Sequence, residues 1–111
     1  MSSPQKLLVI ITSPPDADAL IGKLIERGYP ATKVSSTGGF LRRGSSAILS
    51  GVDEEDVDPV LAVVRQTCQV RMELMPSNAL PLLGNVPSDP IEVRTGGAIV
   101  FVLPIEQFER I

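Results

Sequence analysis

Two runs in this chain, residues 7–12 near its start and 98–103 near its end, are apolar on both of the faces that a β-strand presents. In the second run Ala98, Val100 and Val102 alternate with Ile99, Phe101 and Leu103. Strands of that kind belong in a sheet that is covered on both sides. Between them, only two segments carry the helical spacing that could supply a cover: Ala17, Leu20, Ile21, Leu24 and Ile25, then Val57, Val60, Leu61, Val64 and Cys68. Two helices shield one face. The other must be buried by something outside this chain, and a second copy of the chain is the simplest expectation.

The remaining signals place these elements in order. Ser13 with Asp16 has the spacing of a capping box before the first helix, and Gly28 closes that helix. Residues 29–37 and 46–52 read as a second and third strand, forming a hairpin with 38–45 at its tip. The acidic run 53–58 suits the positive end of a helix dipole, with Pro59 in the first turn where a missing amide does little harm. A half-exposed strand is predicted at 70–75. A long surface excursion, 76–90, then carries Pro76, Pro81, Pro87 and Pro90; connections of that length are either functional or disordered. Residues 91–95 and the pair Gly96-Gly97 lead into the last strand, and 105–111 reads as a short helical turn. The order is that of an α+β protein, a ferredoxin-like βαββαβ sandwich with two helices on one face of a mainly antiparallel sheet. At 111 residues it is expected to be a single domain.

Composition excludes several chemistries. With 13 acidic against 10 basic residues and a net charge of −3, the chain lacks the broad basic surface that DNA or RNA would need. It contains no histidine, which removes the usual zinc sites, Ser-His-Asp triads and imidazole bases. The one cysteine, Cys68, sits on the buried stripe of the second helix and has no disulfide partner in the chain. The acids at 53–58 lack the glycine turn and terminal glutamate of a calcium loop. Ser35, Ser36, Ser45 and Ser46 have only a lysine such as Lys33 as a base, without a nucleophile elbow. No catalysis, cofactor or metal is expected. The apolar run 6–11 is too short to cross a bilayer, and residues 1–5 lack the basic start of a secretory signal, so no membrane association and a cytoplasmic location are expected.

One segment concentrates binding chemistry. Residues 32–46 hold Gly38, Gly39 and Gly44, the aromatic Phe40, and Lys33, Arg42 and Arg43, while no Asp or Glu occurs from Gly28 to Val52. Bare amides and guanidinium groups suit phosphate, and an aromatic face suits a base. A solvated hairpin tip has the same composition and remains the alternative. The segment echoes a P-loop but lacks the lysine after the second glycine and joins strand to strand.

Ala31-Thr32-Lys33, then Ser36-Thr37-Gly38-Gly39-Phe40-Leu41-Arg42, Gly44 and Gly51-Val52, followed by Gly96-Gly97-Ala98-Ile99-Val100-Phe101-Val102 and Phe108, closely resemble the PII-like cyclic di-AMP receptor family. The similarity runs from Lys6 onward and weakens at 76–90. The resemblance implies a homotrimer that binds a cyclic dinucleotide between neighbouring subunits, without catalysis, and signals to a protein target. It implies that Thr32 contacts the ligand through its hydroxyl, that Phe40 and Leu41 pack on an adenine, and that Gly38, Gly39 and Gly51 allow close approach. Thr37, Arg42 and Ser45 complete the implied ligand-binding set. Two positions depart from the family pattern: Ser45 stands where asparagine is common, and Pro30 where a cationic or polar residue often precedes Ala-Thr-Lys. A sensor of another adenine nucleotide such as ATP, and a structural trimer without ligand, are the alternatives.

Overall fold

Strand β1 (Lys6–Thr12) decides which way the molecule faces: Leu8, Ile10 and Thr12 are buried, while Leu7, Val9 and Ile11 between them are half-buried. The computed structural model describes residues 3–35, 44–75 and 90–111. Around β1 lies a four-stranded antiparallel sheet formed with β2 (Thr32–Ser35), β3 (Ser46–Val52) and β6 (Ala98–Pro104), in the order β2-β3-β1-β6. This is the strand order of the ferredoxin-like sandwich, as the sequence predicted. Register places Leu8 between Ser50 and Val102, and Ile10 between Ile48 and Val100. That face is covered by α1 (Pro14–Glu26) and α2 (Val57–Thr67).

The core lies between sheet and helices. Leu8, Ile10, Leu20, Leu24, Ile48 and Val60 are fully inaccessible and form one cluster with Ala17, Val63, Val64 and Cys68. Each large aliphatic side chain buried this way contributes about 1.5–3 kcal/mol. The predicted helical stripes are the buried ones, except that Ile25 is exposed and Val63 joins the second.

Helix termini differ in part from expectation. Ser13 is the N-cap residue of α1 with extended backbone, but its side chain makes no capping bond. Prolines occupy the first turn, so fewer amides need a partner there, and Asp16 is turned instead to Arg71. At the other end Gly28, with φ +84°, donates its N–H to the Ile25 carbonyl, and Tyr29 donates to Leu24. This pair of bonds is a Schellman motif, and it needs the left-handed residue that glycine supplies. The acidic run opens α2 as predicted, through a 3-10 turn at Glu54–Asp56. The Gln5 side-chain oxygen accepts the Glu54 N–H.

Residues 71–75 are a strand, but not in the main sheet. β4 (Arg71–Met75) pairs only with β5 (Ile91–Thr95), making a separate two-stranded ribbon, and β6 takes the sheet edge beside β1. Arg71 and Glu73 leave β4 without the two apolar faces that β6 carries. At the ribbon's base Gly96 and Gly97 have φ +84° and +90°. Gly97 donates to the Cys68 carbonyl and accepts from the Thr12 hydroxyl, while Arg71 pairs with Asp16. The expected helical turn at 105–111 is absent; Ile105 instead donates its N–H to the Gln5 carbonyl, which carries the pairing of β1 with β6 one step further.

Among the described residues, no element covers the sheet's second face. Leu7, Val9 and Ile11 line up with Leu49 of β3 and with Ile99, Phe101 and Leu103 of β6. Phe101 is 50% exposed and Ile99 60%. Among the described residues, no helix is long and apolar enough to cross a membrane.

Candidate functional site

The Schellman turn after α1 sends the chain along the end of the sheet where β3 finishes and β1 begins. There Pro30 is pinned by its carbonyl, which accepts the Ser50 hydroxyl at 2.6 Å. Pro4 lies against Gly51 so closely that a Cβ on Gly51 would meet it at 3.3 Å. The C-terminal segment passes the same end, tied by Ile105 to Gln5.

These segments enclose a cleft of about 430 Å³, a size suited to a small organic ligand. Gly28, Tyr29 and Pro30 form one wall and Gly51 and Val52 another. Asp53 and Asp56 line it from the start of α2, and Phe108 and Arg110 from the C-terminal segment. The cleft thus combines two aromatic rings, two glycines, two carboxylates and a guanidinium.

Of the residues implied by sequence, Thr32 and Gly51 lie toward this end. Thr32 is exposed, pairs with Leu49, and shares the uncovered face with Gly51. Its neighbour Lys33 is on the opposite face, paired with Asp18 at 2.8 Å. Ser45 precedes the first residue of β3, six positions and roughly 20 Å of strand from Gly51. The described residues therefore divide into two groups at opposite ends of β3. Thr37, Gly38, Gly39, Phe40, Leu41 and Arg42 lie outside the described residues, as does most of the excursion predicted at 76–90.

Tyr29, Asp56 and Arg110 were not singled out by the sequence. The turn chemistry of Gly28-Tyr29-Pro30 was the available signal, because a helix-ending glycine fixes where the next side chain goes. Nothing in the sequence brings Arg110 to Pro30; only the observed path of the C-terminal segment does.

The model of the cyclic-di-AMP receptor family matches residues 5–111. The chain belongs to the cyclic-di-AMP receptor family. A functionally unknown protein from Pediococcus pentosaceus is 36% identical to this family member, covering 99% of this chain and 100% of its own, with a TM-score of 0.77. CPII, a nitrogen regulatory PII-like protein from Thiomonas intermedia solved with ADP, AMP and bicarbonate, is 23% identical over 96% of this chain and 92% of its own, with a TM-score of 0.55. The second likeness establishes the PII-like fold. Membership in the receptor family makes the chain a nucleotide-binding signalling receptor.

Proposed function

We propose that this receptor binds cyclic di-AMP in clefts between the subunits of a homotrimer, without turning it over, and passes the signal to a protein target. The observation that carries the reading is the apolar, uncovered face of the sheet, with Thr32 and Gly51 on it and the cleft at its end. Copies packed on that face would bury Ile99, Phe101 and Leu103 and bring walls from a neighbour up to the ligand. The separation of Ser45 from Gly51 supports the same arrangement. A ligand meeting both groups needs either the 36–43 segment returning along the sheet or residues from two copies.

Signalling would work through the segments that join these elements. Binding orders the 38–45 hairpin tip and the 76–90 excursion, and the altered surface accepts or rejects the target. Phe40 provides the stacking surface and Arg42 a charge-assisted bond to phosphate.

The test is equilibrium binding to cyclic di-AMP, cyclic di-GMP, ATP and AMP. Cyclic di-AMP should bind with clear preference, and Phe40→Ala should weaken it by about 1–3 kcal/mol while the oligomer persists. A well-folded trimer that binds none of the cyclic dinucleotides would overturn the ligand. Preference for ATP would favour the second reading, a sensor of another adenine nucleotide. Ser45 supports that reading, since a hydroxyl cannot present the paired donor and acceptor of an amide to a base edge.

A further inference from the structure

Gly51 lies on the uncovered face of β3, between Ser50 and Val52, which are buried on the opposite one. A glycine there leaves bare backbone that a ligand could approach closely. In this chain the opening is already filled. The Pro4 ring rests on it, its Cβ 3.3 Å and its Cγ 3.4 Å from where a Gly51 Cβ would stand. An atom touching both residues needs about 3.5–4.0 Å on each side, so none fits between them. Pro4 is held in place through Gln5. That residue donates its N–H to the Val52 carbonyl, accepts the Glu54 N–H on its side-chain oxygen and the Ile105 N–H on its carbonyl, each at 3.0 Å. A proline ring is fixed to its own backbone, so it cannot turn aside as a flexible side chain would. It leaves Gly51 only when the backbone of residues 3–4 swings away.

We infer that residues 3–4 are a strap across the nucleotide site, with the Pro4 ring occupying the place on Gly51 that the ligand must take, so that binding requires its displacement. The inference rests on the nucleotide-receptor reading above and adds to it a self-contact that competes with the ligand. Gly51 can be touched by Pro4 or by a nucleotide, not by both at once. Pro4 also lines the cleft beside Tyr29 and Pro30, so a ligand entering there meets the strap first. The competent state is then the fraction of molecules with the strap lifted, and the observed affinity is reduced by that fraction. Gln5 is the hinge: its side-chain bond to Glu54 holds the strap down from the α2 side.

The experiment compares cyclic di-AMP affinity of the full chain with that of Pro4→Gly, which removes the ring, and Gln5→Ala, which loosens the hinge. It also follows the contact between the Pro4 ring and the Gly51 α-protons by nuclear Overhauser effect, without ligand and at saturation. Pro4→Gly should bind about 3- to 10-fold more tightly, and Gln5→Ala should shift the same way by less. The Pro4–Gly51 contact should be present in the free protein and lost when the ligand saturates it. Pro4 precedes the first strand and Gln5 bonds Glu54 at an exposed site, so both variants keep the core. Equal or weaker binding by Pro4→Gly would overturn the inference, since a proline that merely forms a wall or supports the fold gives that result. A contact that is missing in the free protein, or that survives saturation, would overturn it as well. In each of these cases the unaltered chain still binds and the nucleotide reading stands. If the unaltered chain fails to bind but Pro4→Gly binds, the strap is confirmed as a strong block; if neither binds, the reading beneath it falls.

Discussion

Gly96 and Cys68 show how single residues set what this receptor tolerates. A Cβ on Gly96 would collide with the Gln69 carbonyl oxygen, in a backbone conformation that other residues adopt at a cost. Gly96→Ala should therefore destabilise the protein by about 2 kcal/mol or more, read by urea unfolding. Gly28 has the same backbone geometry but open space around it, so Gly28→Ala should cost only about 1–2 kcal/mol. Burial pushes the Cys68 thiol above its ordinary range, outweighing the opposite influence of the neighbouring Thr12 hydroxyl. The unfolded chain ionises at this thiol near pH ~8.5 and the folded chain only higher, so its contribution is complete below that pH and falls as pH rises. Stability measured from about pH 7.5 to about pH 10 should decline through this window, and Cys68→Ala should reduce the decline. The sequence already placed Cys68 in the core, because its position on a helical stripe is a local property. The glycine contacts were not legible, since the carbonyl that Gly96 avoids belongs to a residue on the other side of the ribbon.

Among the elements, the helices and the strands of the main sheet follow their sequence signals closely. The β4–β5 ribbon does not. Apolar alternation identified 70–75 as a strand, but alternation alone carries no information about which strand pairs with it. The ribbon is held at its base by Gly96-Gly97, whose positive φ accompanies the bond from Gly97 to the Cys68 carbonyl, and by Arg71 meeting buried Asp16 at 2.9 Å. The carboxylates of Asp16 and Glu73 hold the Arg71 guanidinium still more firmly protonated. Arg71→Ala leaves Asp16 buried without its cation. The expected result is a lower melting temperature and faster amide exchange in β4 and β5, while exchange in β1 and β3 remains slow. Equal exchange changes throughout would mean that the ion pair serves the whole fold and not the ribbon. The cleft shows the same limit of local signals: Thr32 and Gly51 could be read from the family pattern, whereas Tyr29 and Arg110 arrive there through a turn and a terminal segment.

For the whole molecule, the sequence and the structure agree on one asymmetry. Two helices cover one side of a sheet whose strands β1 and β6 are apolar on both, and Phe101 remains half exposed. A lone chain with that face in water would expose a contiguous apolar patch. An assembly is therefore expected in solution, and ligand binding should depend on it. Phe101→Glu places a charge on the uncovered face, on its edge strand β6 beside Val9, without touching the core beneath the helices, so it should yield a folded monomer by light scattering and circular dichroism. The decisive measurement is titration calorimetry of cyclic di-AMP into the unaltered protein and into Phe101→Glu. One ligand should bind per chain in the unaltered assembly, with a large loss of affinity in the folded monomer. Undiminished binding by that monomer would contradict a site built between subunits.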